Sequence, residues 1–115
     1  MARNVGSHRA VRRGEIWLAA LDPTLGSEIQ KTRPCVVVSP PEMNDFLRTV
    51  TVAPMTTGSR PASFRIALRF DGKDGLVLLD QLRTLDRQRL VRRLGAVSTG
   101  TLRATLAALR EMFEE

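Results

Sequence analysis

The side chains best suited to chemistry in this sequence lie in two polar segments. The first, residues 21–34, carries Glu28 and Arg33 among prolines and a glycine that restrict or bend the backbone. The second, residues 55–61, carries Thr56 as the first of two adjacent threonines. Connections between strands are commonly about 2–5 residues long, and longer ones are usually functional or disordered. The charges and restricted backbone of segment 21–34 therefore predict a shaped surface loop that carries a site.

Several common catalytic designs are excluded by the residue types. The sequence has no glycine-rich phosphate loop before a helix, and its Cys and His residues lack the spacing of a zinc site. The single histidine, His8, lies near the N-terminus, so neither a serine–histidine hydrolase nor a two-histidine acid–base pair is expected. No pair of carboxylates is obviously placed for a divalent metal. We therefore expect neither a metal nor another cofactor.

The arginine, hydroxyl and carboxylate groups that remain would suit cleavage of RNA by its own 2′-hydroxyl. The substrate then supplies the nucleophile, and the protein must orient the strand and stabilise the charge that develops around phosphorus. A guanidinium group does this electrostatically, and a hydroxyl can donate a hydrogen bond to a non-bridging oxygen. DNA lacks the 2′-hydroxyl, so such a site would discriminate between RNA and DNA.

Composition places these groups in one small basic domain. A chain of 115 residues with 43% hydrophobic and 26% charged residues is typical of a single soluble globular domain. The formal net charge is +6, and of the 18 basic residues only Lys31 and Lys73 are lysine, which leaves 16 arginines. This balance favours a polyanionic partner, with nucleic acid first and an acidic protein second. A genomic preference for arginine would give the same ratio.

Three further features bear on location and on the start of the chain. The lone Cys35 excludes an intrachain disulfide, and its β-branched neighbours predict a small buried hydrophobe. No apolar run reaches the length of a membrane span, so we expect a cytoplasmic protein without membrane association. Residues 1–12 are basic without the apolar stretch of a secretory signal, and we predict a flexible arm followed by one domain, 13–115.

The elements that must position the two segments are a run of short strands followed by one helix. The predicted strands are Glu15–Ala20, Cys35–Ser39, Thr49–Ala53, Phe64–Phe70 and Leu76–Leu79, with a less distinct one at Arg89–Val97. Pro54 is expected to end the third strand. Ser98 as N-cap and apolar residues at helical spacing predict an amphipathic helix over Thr99–Phe113. This order indicates a mainly β, α+β domain with a barrel-like sheet.

Six short motifs, in order and at matching spacing, resemble the MazF/Kid (PemK-like) family of toxin endoribonucleases from type II toxin–antitoxin modules. They are Arg13-Gly14-Glu15-Ile16-Trp17, Leu21-Asp22-Pro23-Thr24, Gly26-Ser27-Glu28, Thr32-Arg33-Pro34, Pro54-Met55-Thr56-Thr57 and Asp80-Gln81. The resemblance implies a small twisted SH3-like β-barrel with a C-terminal helix, working as a homodimer. It implies metal-independent, sequence-specific cleavage of single-stranded RNA to a 2′,3′-cyclic phosphate and a 5′-hydroxyl. The implied protein partner is an acidic MazE-like antitoxin.

The resemblance also assigns roles to individual residues. The catalytic arginine and threonine of the family fall on Arg33 and Thr56. Glu28 matches a loop glutamate that positions substrate or transfers protons, and Asp80 matches a carboxylate that some members use in catalysis. Residues expected to contact RNA around them are Ser27, Lys31, Thr57, Arg60, Gln81, Arg83 and Arg87. Without the resemblance, the four candidate catalytic residues would be assigned structural roles. Arg33 would form an ion pair, Thr56 would cap a turn or helix, Glu28 would be solvated, and Asp80 would bond loop amides.

Two positions depart from the Kid-like members. Ser27 stands where those members carry a histidine, and Leu78 stands where they carry an arginine. A mechanism built on an Asp–Arg–His set is therefore not available, and members that rely on Arg and Thr fit better. Arg33 is expected to stabilise charge, and the general acid and base stay open.

Two other functions stay open at this point. A CcdB-like gyrase poison has a related fold, but that family relies on a Trp-Gly-Ile-like tail, whereas this chain ends Met112-Phe113-Glu114-Glu115. A non-catalytic nucleic-acid binder would need only the basic strand 64–70 and an arginine cluster. That cluster consists of Arg83, Arg87, Arg89, Arg92 and Arg93. With four Phe and one Trp, extensive base stacking is not expected, and readout of base edges by the loops is favoured.

Overall fold

The computed structural model describes residues 10–115, which form a curled antiparallel sheet followed by a helix. Within these residues the strands are β1 (Glu15–Ala20), β2 (Thr32–Val37), β3 (Thr49–Thr56), β4 (Arg65–Phe70), β5 (Lys73–Leu78), β6 (Arg83–Asp86) and β7 (Leu90–Ala96). The helices are α1 (Pro41–Asn44) and α2 (Thr99–Phe113), and 3₁₀ turns cover Leu79–Gln81 and Arg87–Arg89. The predicted mainly β, α+β domain with a C-terminal helix is confirmed. Residues 1–9 of the predicted arm lie outside the described residues.

Strand β3 curls the sheet because it changes partner along its length. The path through the sheet is β4-β5-β3-β2-β1-β7, and β6 also pairs with β3. Residues Thr49 to Val52 pair with β6, whereas Met55 and Thr56 pair with β5 on the same edge. The other edge of β3 pairs with β2. The sheet therefore divides at the middle of β3 and closes into a half-barrel.

Pro54 does not end the third strand, so that prediction is wrong. The Thr51 carbonyl accepts a hydrogen bond from the Val38 amide (2.9 Å), so the odd-numbered positions of β3 bond towards β2. By alternation, the nitrogen of Pro54 faces the opposite edge. Residues 53 and 54 have no strand partner on that edge, because β6 pairing stops at Val52 and β5 pairing starts at Met55. The missing N–H therefore breaks no ladder bond, and β3 continues to Thr56.

Two clusters of apolar side chains pack on the two faces of the central strands. Alternate residues of β1 and β2 supply both: Trp17 and Cys35 belong to one cluster, and Ile16 and Val36 belong to the other. Burial on both faces explains the continuous apolar run after Pro34, which is typical of a central strand. Cys35 is buried as predicted, and burial raises the pKa of its thiol to about 12 although nearby guanidinium groups oppose this rise.

The predicted C-terminal helix is confirmed with its bounds. The Ser98 hydroxyl accepts a hydrogen bond from the Thr101 amide (3.1 Å), which satisfies one of the free donors at the helix start. Ala108 and Leu109 pack against the apolar cluster that contains Ile16 and Val36. The helix therefore covers that side of the sheet, where it also contacts β4. Among the described residues, no helix is both long and apolar enough to cross a membrane.

Several bounds differ from the prediction for identifiable reasons. Strand β2 begins at Thr32 because its polar first half pairs with β1, where Arg33 lies opposite Ala19. Strand β6 was not predicted. Leu85 is its only buried residue, and a single buried residue gives no alternation of apolar and polar positions. The short helix α1 after Pro40 was not predicted either. The pairing of strands that are distant in the sequence determines these bounds, and it cannot be predicted from local composition.

Candidate active site

Arg33 and Thr56 meet in one open cleft on the half-barrel. The cleft is lined by Arg33, Pro34, Met55, Thr56, Thr57, Leu68, Phe70, Asp71, Lys73 and Gly75. Its volume of about 230 Å³ is below the range of roughly 300–1,000 Å³ that is usual for small-molecule pockets. The cleft is therefore suited to one part of a larger ligand that extends beyond it.

The strand register explains why these two side chains meet. In the pairing of β2 with β3, Cys35 lies opposite Pro54. The ladder ends at this pair, and the same antiparallel register extended by two residues would bring Arg33 level with Thr56. Each strand is also paired on its other side, since Arg33 lies opposite Ala19 and Thr56 opposite Leu76. Both side chains are therefore held by paired strands rather than by mobile loops, which favours a fixed geometry.

The guanidinium group of Arg33 is anchored at one nitrogen. Its Nε donates a hydrogen bond to the Gln30 carbonyl (2.9 Å), which fixes the side chain at the end of the preceding loop. Among the residues that the structure describes, no carboxylate forms an ion pair with Arg33. The charge of Arg33 at the cleft is thus not neutralised by a neighbouring carboxylate, and a planar fork of donors is suited to phosphate.

The hydroxyl of Thr56 lies at the end of β3, where the backbone turns away from the sheet. Its Oγ1 accepts a hydrogen bond from the Gly58 amide (3.3 Å). A hydroxyl that accepts from an amide keeps its own proton for donation to a ligand. Strand β5 approaches the backbone here: a Cβ at Gly75 would lie 3.0 Å from the Thr56 carbonyl oxygen.

The long loop 21–31 has a defined shape maintained by its own hydrogen bonds. The Leu21 amide donates to the Lys31 carbonyl (3.0 Å), and the Lys31 amide donates to the Asp22 carboxylate (3.1 Å), which closes the base of the loop. At the tip, the Glu28 carboxylate accepts a hydrogen bond from the Leu25 amide (2.7 Å). Glu28 is exposed and is not among the residues that line the cleft.

Three side chains from the second half of the chain fix this loop from outside. Gln81 Oε1 accepts a hydrogen bond from the Ile29 amide (3.2 Å), and Arg83 donates to the Leu21 carbonyl (3.2 Å). Arg89 donates to the carbonyls of Ala20 and Asp22. The arginine cluster was a predicted nucleic-acid surface, but two of its members, Arg83 and Arg89, donate hydrogen bonds to backbone carbonyls of the chain itself.

Asp80 forms a two-point ion pair outside the cleft. Its carboxylate accepts hydrogen bonds from Arg65 Nε (3.1 Å) and Arg65 Nη2 (3.0 Å). These bonds lower the pKa of Asp80 and outweigh partial burial, which acts to raise it. Arg65 also donates to the Arg60 carbonyl (3.2 Å), so the pair holds one end of the loop 57–64 that follows Thr56.

The structure therefore gathers part of the predicted set. Arg33, Thr56 and Thr57 line the cleft, whereas Glu28 and Asp80 do not. Of the residues expected to contact RNA, those exposed on the two loops are Ser27, Lys31 and Arg60, and those that bond backbone groups are Gln81, Arg83 and Arg87. Within residues 10–115, no group of three or more His, Cys, Asp or Glu side chains is arranged to share a metal ion.

The cleft also contains residues that were not predicted from the sequence. The apolar ones are Pro34, Met55, Leu68 and Phe70, and the others are Asp71, Lys73 and Gly75. The Asp-Gly step at 71–72 is typical of a hairpin turn. The alternating apolar and basic residues of the preceding segment, 64–70, predict a strand. Placing that turn at the end of β3 requires the pairing of β5 with β3, which no local pattern reveals.

Comparison with known proteins agrees with the fold and the motifs. Residues 12–113 match the family described as PemK-like, MazF-like toxin of type II toxin–antitoxin system. The chain is 44% identical over 81 residues to endoribonuclease PemK of Escherichia coli, a match that covers 66% of this chain and 61% of that protein. It is 36% identical over 94 residues to endoribonuclease MazF of Staphylococcus epidermidis, covering 76% of this chain and 78% of that protein. The chain thus spans less than two thirds of the PemK relative.

Solved structures show the same fold over nearly the whole chain. MazF (Form-I) from Deinococcus radiodurans superposes with a TM-score of 0.82 at 25% identity, covering 93% of this chain and 99% of that one. A mycobacterial endoribonuclease in complex with its cognate antitoxin gives a TM-score of 0.75 at 24% identity, covering 89% and 93%. The family match spans nearly all of the described residues and contains both sides of the cleft. The chain belongs to the PemK-like, MazF-like toxin family of type II toxin–antitoxin systems.

Proposed function

We propose that this protein is a toxin endoribonuclease that cleaves single-stranded RNA at specific sequences without a metal ion. Cleavage of messenger RNA would inhibit translation and growth. The observation that carries the proposal is the single cleft that Arg33 and Thr56 both line. The endoribonuclease names of the PemK and MazF relatives support the activity.

In the proposed reaction the 2′-oxygen of the substrate attacks the adjacent phosphorus. The P–O2′ bond forms and the P–O5′ bond breaks, which leaves a 2′,3′-cyclic phosphate and a 5′-hydroxyl. The 2′-hydroxyl loses a proton and the departing 5′-oxygen gains one, so no co-reactant is consumed. Arg33 stabilises the charge on the phosphoryl oxygens, and the Thr56 hydroxyl donates to a non-bridging oxygen. The proposal assigns the two proton transfers to no side chain.

The two carboxylates have supporting roles in this proposal. Glu28 shapes the tip of loop 21–31 by accepting from the Leu25 amide, which would place the loop along the RNA. Asp80 is engaged with Arg65 at two points, so it acts by holding the loop 57–64 and not by carrying a proton. Among the RNA-contact residues, Lys31 and Arg60 have exposed positions suited to phosphate contacts.

We also propose a cytoplasmic homodimer that is neutralised by an acidic MazE-like antitoxin. The net charge of +6 complements an acidic segment, and structures with this fold include a toxin with its cognate antitoxin and MazE–MazF complexes. An acidic segment that occupies the cleft beside Arg33 would exclude RNA from it. RNA cleavage that continues undiminished in the purified toxin–antitoxin complex would contradict this mode of inhibition.

The test is cleavage of a long natural RNA in the presence of EDTA, followed by mapping of the new ends. Wild-type protein should cut at a short recurrent sequence and leave 5′-hydroxyl ends. Arg33→Ala and Thr56→Ala should leave the RNA intact while keeping the circular dichroism spectrum and melting behaviour of a folded protein. Arg103→Ala, an exposed residue of α2 outside the cleft, is the matched control and should cut normally. Intact RNA after incubation with folded wild type would refute the enzyme proposal.

A further inference from the structure

The part of the cleft beside Arg33 and Thr56 has an apolar floor that the cleavage reaction does not use. This floor consists of Pro34, Met55, Leu68 and Phe70. Phe70 and Leu68 are half-buried, because they also pack on the apolar cluster beneath α2. Their positions are therefore fixed, and the surface that they offer to the cleft is preformed.

The opposite rim of the cleft is polar and belongs to the turn between β4 and β5. Asp71 and Lys73 line the cleft from this turn. Among the residues that the structure describes, neither side chain has an ion-pair partner. The turn itself is held in place, since Arg69 donates to the Asp74 carboxylate (2.8 Å) and to the Gly72 carbonyl (3.0 Å). A carboxylate and an ammonium group thus sit together at the edge of an apolar surface.

We propose that this part of the cleft holds one nucleobase of the RNA, and that Asp71 and Lys73 select its identity. The inference rests on the proposed endoribonuclease function, because it places the base next to the phosphate that Arg33 and Thr56 would hold. An apolar floor cannot accept the charged phosphodiester backbone, whereas the face of a base stacks on apolar and aromatic side chains. The cleft volume of about 230 Å³ leaves room for only a small part of an RNA strand beside the catalytic pair.

Base identity follows from the chemistry of the rim. A carboxylate accepts hydrogen bonds from the N–H groups of a base edge, and an ammonium group donates to its oxygen or ring-nitrogen acceptors. Two groups of opposite character on one held turn match the donor–acceptor order of one base better than that of another. Asp71 and Lys73 are then specificity-determining residues, distinct from the residues that stabilise the reacting phosphate.

The variants Asp71→Asn and Lys73→Met test this proposal with little risk to the fold. Both side chains are exposed, and the backbone of Asp71 is left-handed (φ 54°), a conformation that asparagine adopts readily. Glu111→Gln is the matched control, because it makes the same carboxylate-to-amide change at an exposed residue of α2 that does not line the cleft.

The measurement is the base frequency at each position around the cut, obtained by sequencing the ends of a long natural RNA after cleavage by each protein. Both rim variants should still cut, but the discrimination between bases should fall roughly tenfold at one position, the same for both. The Glu111→Gln profile should match wild type. Unchanged base preferences at every position in both rim variants would overturn the inference while leaving the cleavage function intact. RNA left uncut by wild type would instead overturn the proposed function itself.

Discussion

The variant Gly75→Ala tests whether the close approach of β5 determines the position of Thr56. A Cβ at residue 75 would lie 3.0 Å from the Thr56 carbonyl oxygen and 3.9 Å from Thr57 Cγ2. Ordinary van der Waals contacts of a Cβ begin near 3.4 Å, so the Thr56 carbonyl must move by roughly 0.4 Å. The end of β3, which carries the Thr56 hydroxyl, then moves with it.

The expected cost can be worked out from this displacement. A shift of about 1 Å in a catalytic geometry can cost roughly a hundredfold in rate, so about 0.4 Å predicts a loss of about sixfold, or about 1.1 kcal/mol of transition-state stabilisation. Replacing a strand glycine with alanine otherwise gains about 0.5–1 kcal/mol, whereas crowding costs about 1–3 kcal/mol. The net loss of about 1 kcal/mol in folding stability should leave the protein folded.

The assay is steady-state cleavage of a short RNA with a single mapped site, together with thermal melting. Gly75→Ala should lower kcat about sixfold with little change in KM, because the floor and rim of the cleft remain. Gly100→Ala is the matched control: its nearest non-neighbouring atom, Ser98 Oγ, would be 4.0 Å away, so full activity is expected. A folded Gly75→Ala protein with wild-type kcat would refute the argument.

Three further predictions concern the other ionisable groups. Asp80→Ala and Arg65→Ala should lower kcat equally, because the two side chains hold the loop 57–64 as one ion pair. The double variant should therefore be no worse than either single variant. A far larger loss of kcat for Asp80→Ala than for Arg65→Ala would indicate that Asp80 transfers a proton. Burial opposes ionisation of Glu15, but hydrogen bonds from the Arg12 amide, Trp17 and Arg93 outweigh it and lower its pKa below 4.5. The resulting stability is present above the unfolded pKa and is lost as pH falls through the folded one. In denaturant titrations, Glu15→Gln should therefore unfold about 1–2 kcal/mol more easily at pH 7, and this difference should shrink steadily as the pH is lowered below 4.5. Burial raises the pKa of the Cys35 thiol from 9.0 to about 12, so iodoacetamide should label the folded protein about a thousandfold more slowly than the unfolded chain at pH 8, and equal rates would contradict the buried thiol.

The sequence predicts this fold well wherever local patterns decide the structure. Alternation and β-branching identify β1, the second half of β2, and β4, and the cap at Ser98 identifies the start of α2. The patterns fail at Pro54, where the strand persists because its partner changes there, and at β6, where one buried leucine leaves no period. In both places the structure depends on which strands pair, and pairing is not encoded locally.

The candidate site divides in the same way. Arg33 and Thr56 were identified through motifs, and their meeting in one cleft follows from the register of β2 with β3. Asp71, Lys73 and Gly75 were missed because the β4–β5 turn reaches the cleft only through the pairing of β5 with the end of β3. Asp80 was identified as a candidate carboxylate, but its partner Arg65 is 15 residues away in the chain and only the structure brings them together.

The most direct test of the central claim is whether Arg33 and Thr56 act on one phosphate as a unit. Single-turnover cleavage of a short RNA that contains one mapped site should be measured for wild type, Arg33→Ala, Thr56→Ala and the double variant. A matched RNA with a single 2′-deoxy nucleotide at the cut should bind but resist cleavage by wild type. We predict that each single variant loses most of the activity and that the double variant loses little more. Cleavage of the 2′-deoxy substrate, or full activity in folded Arg33→Ala, would contradict the account.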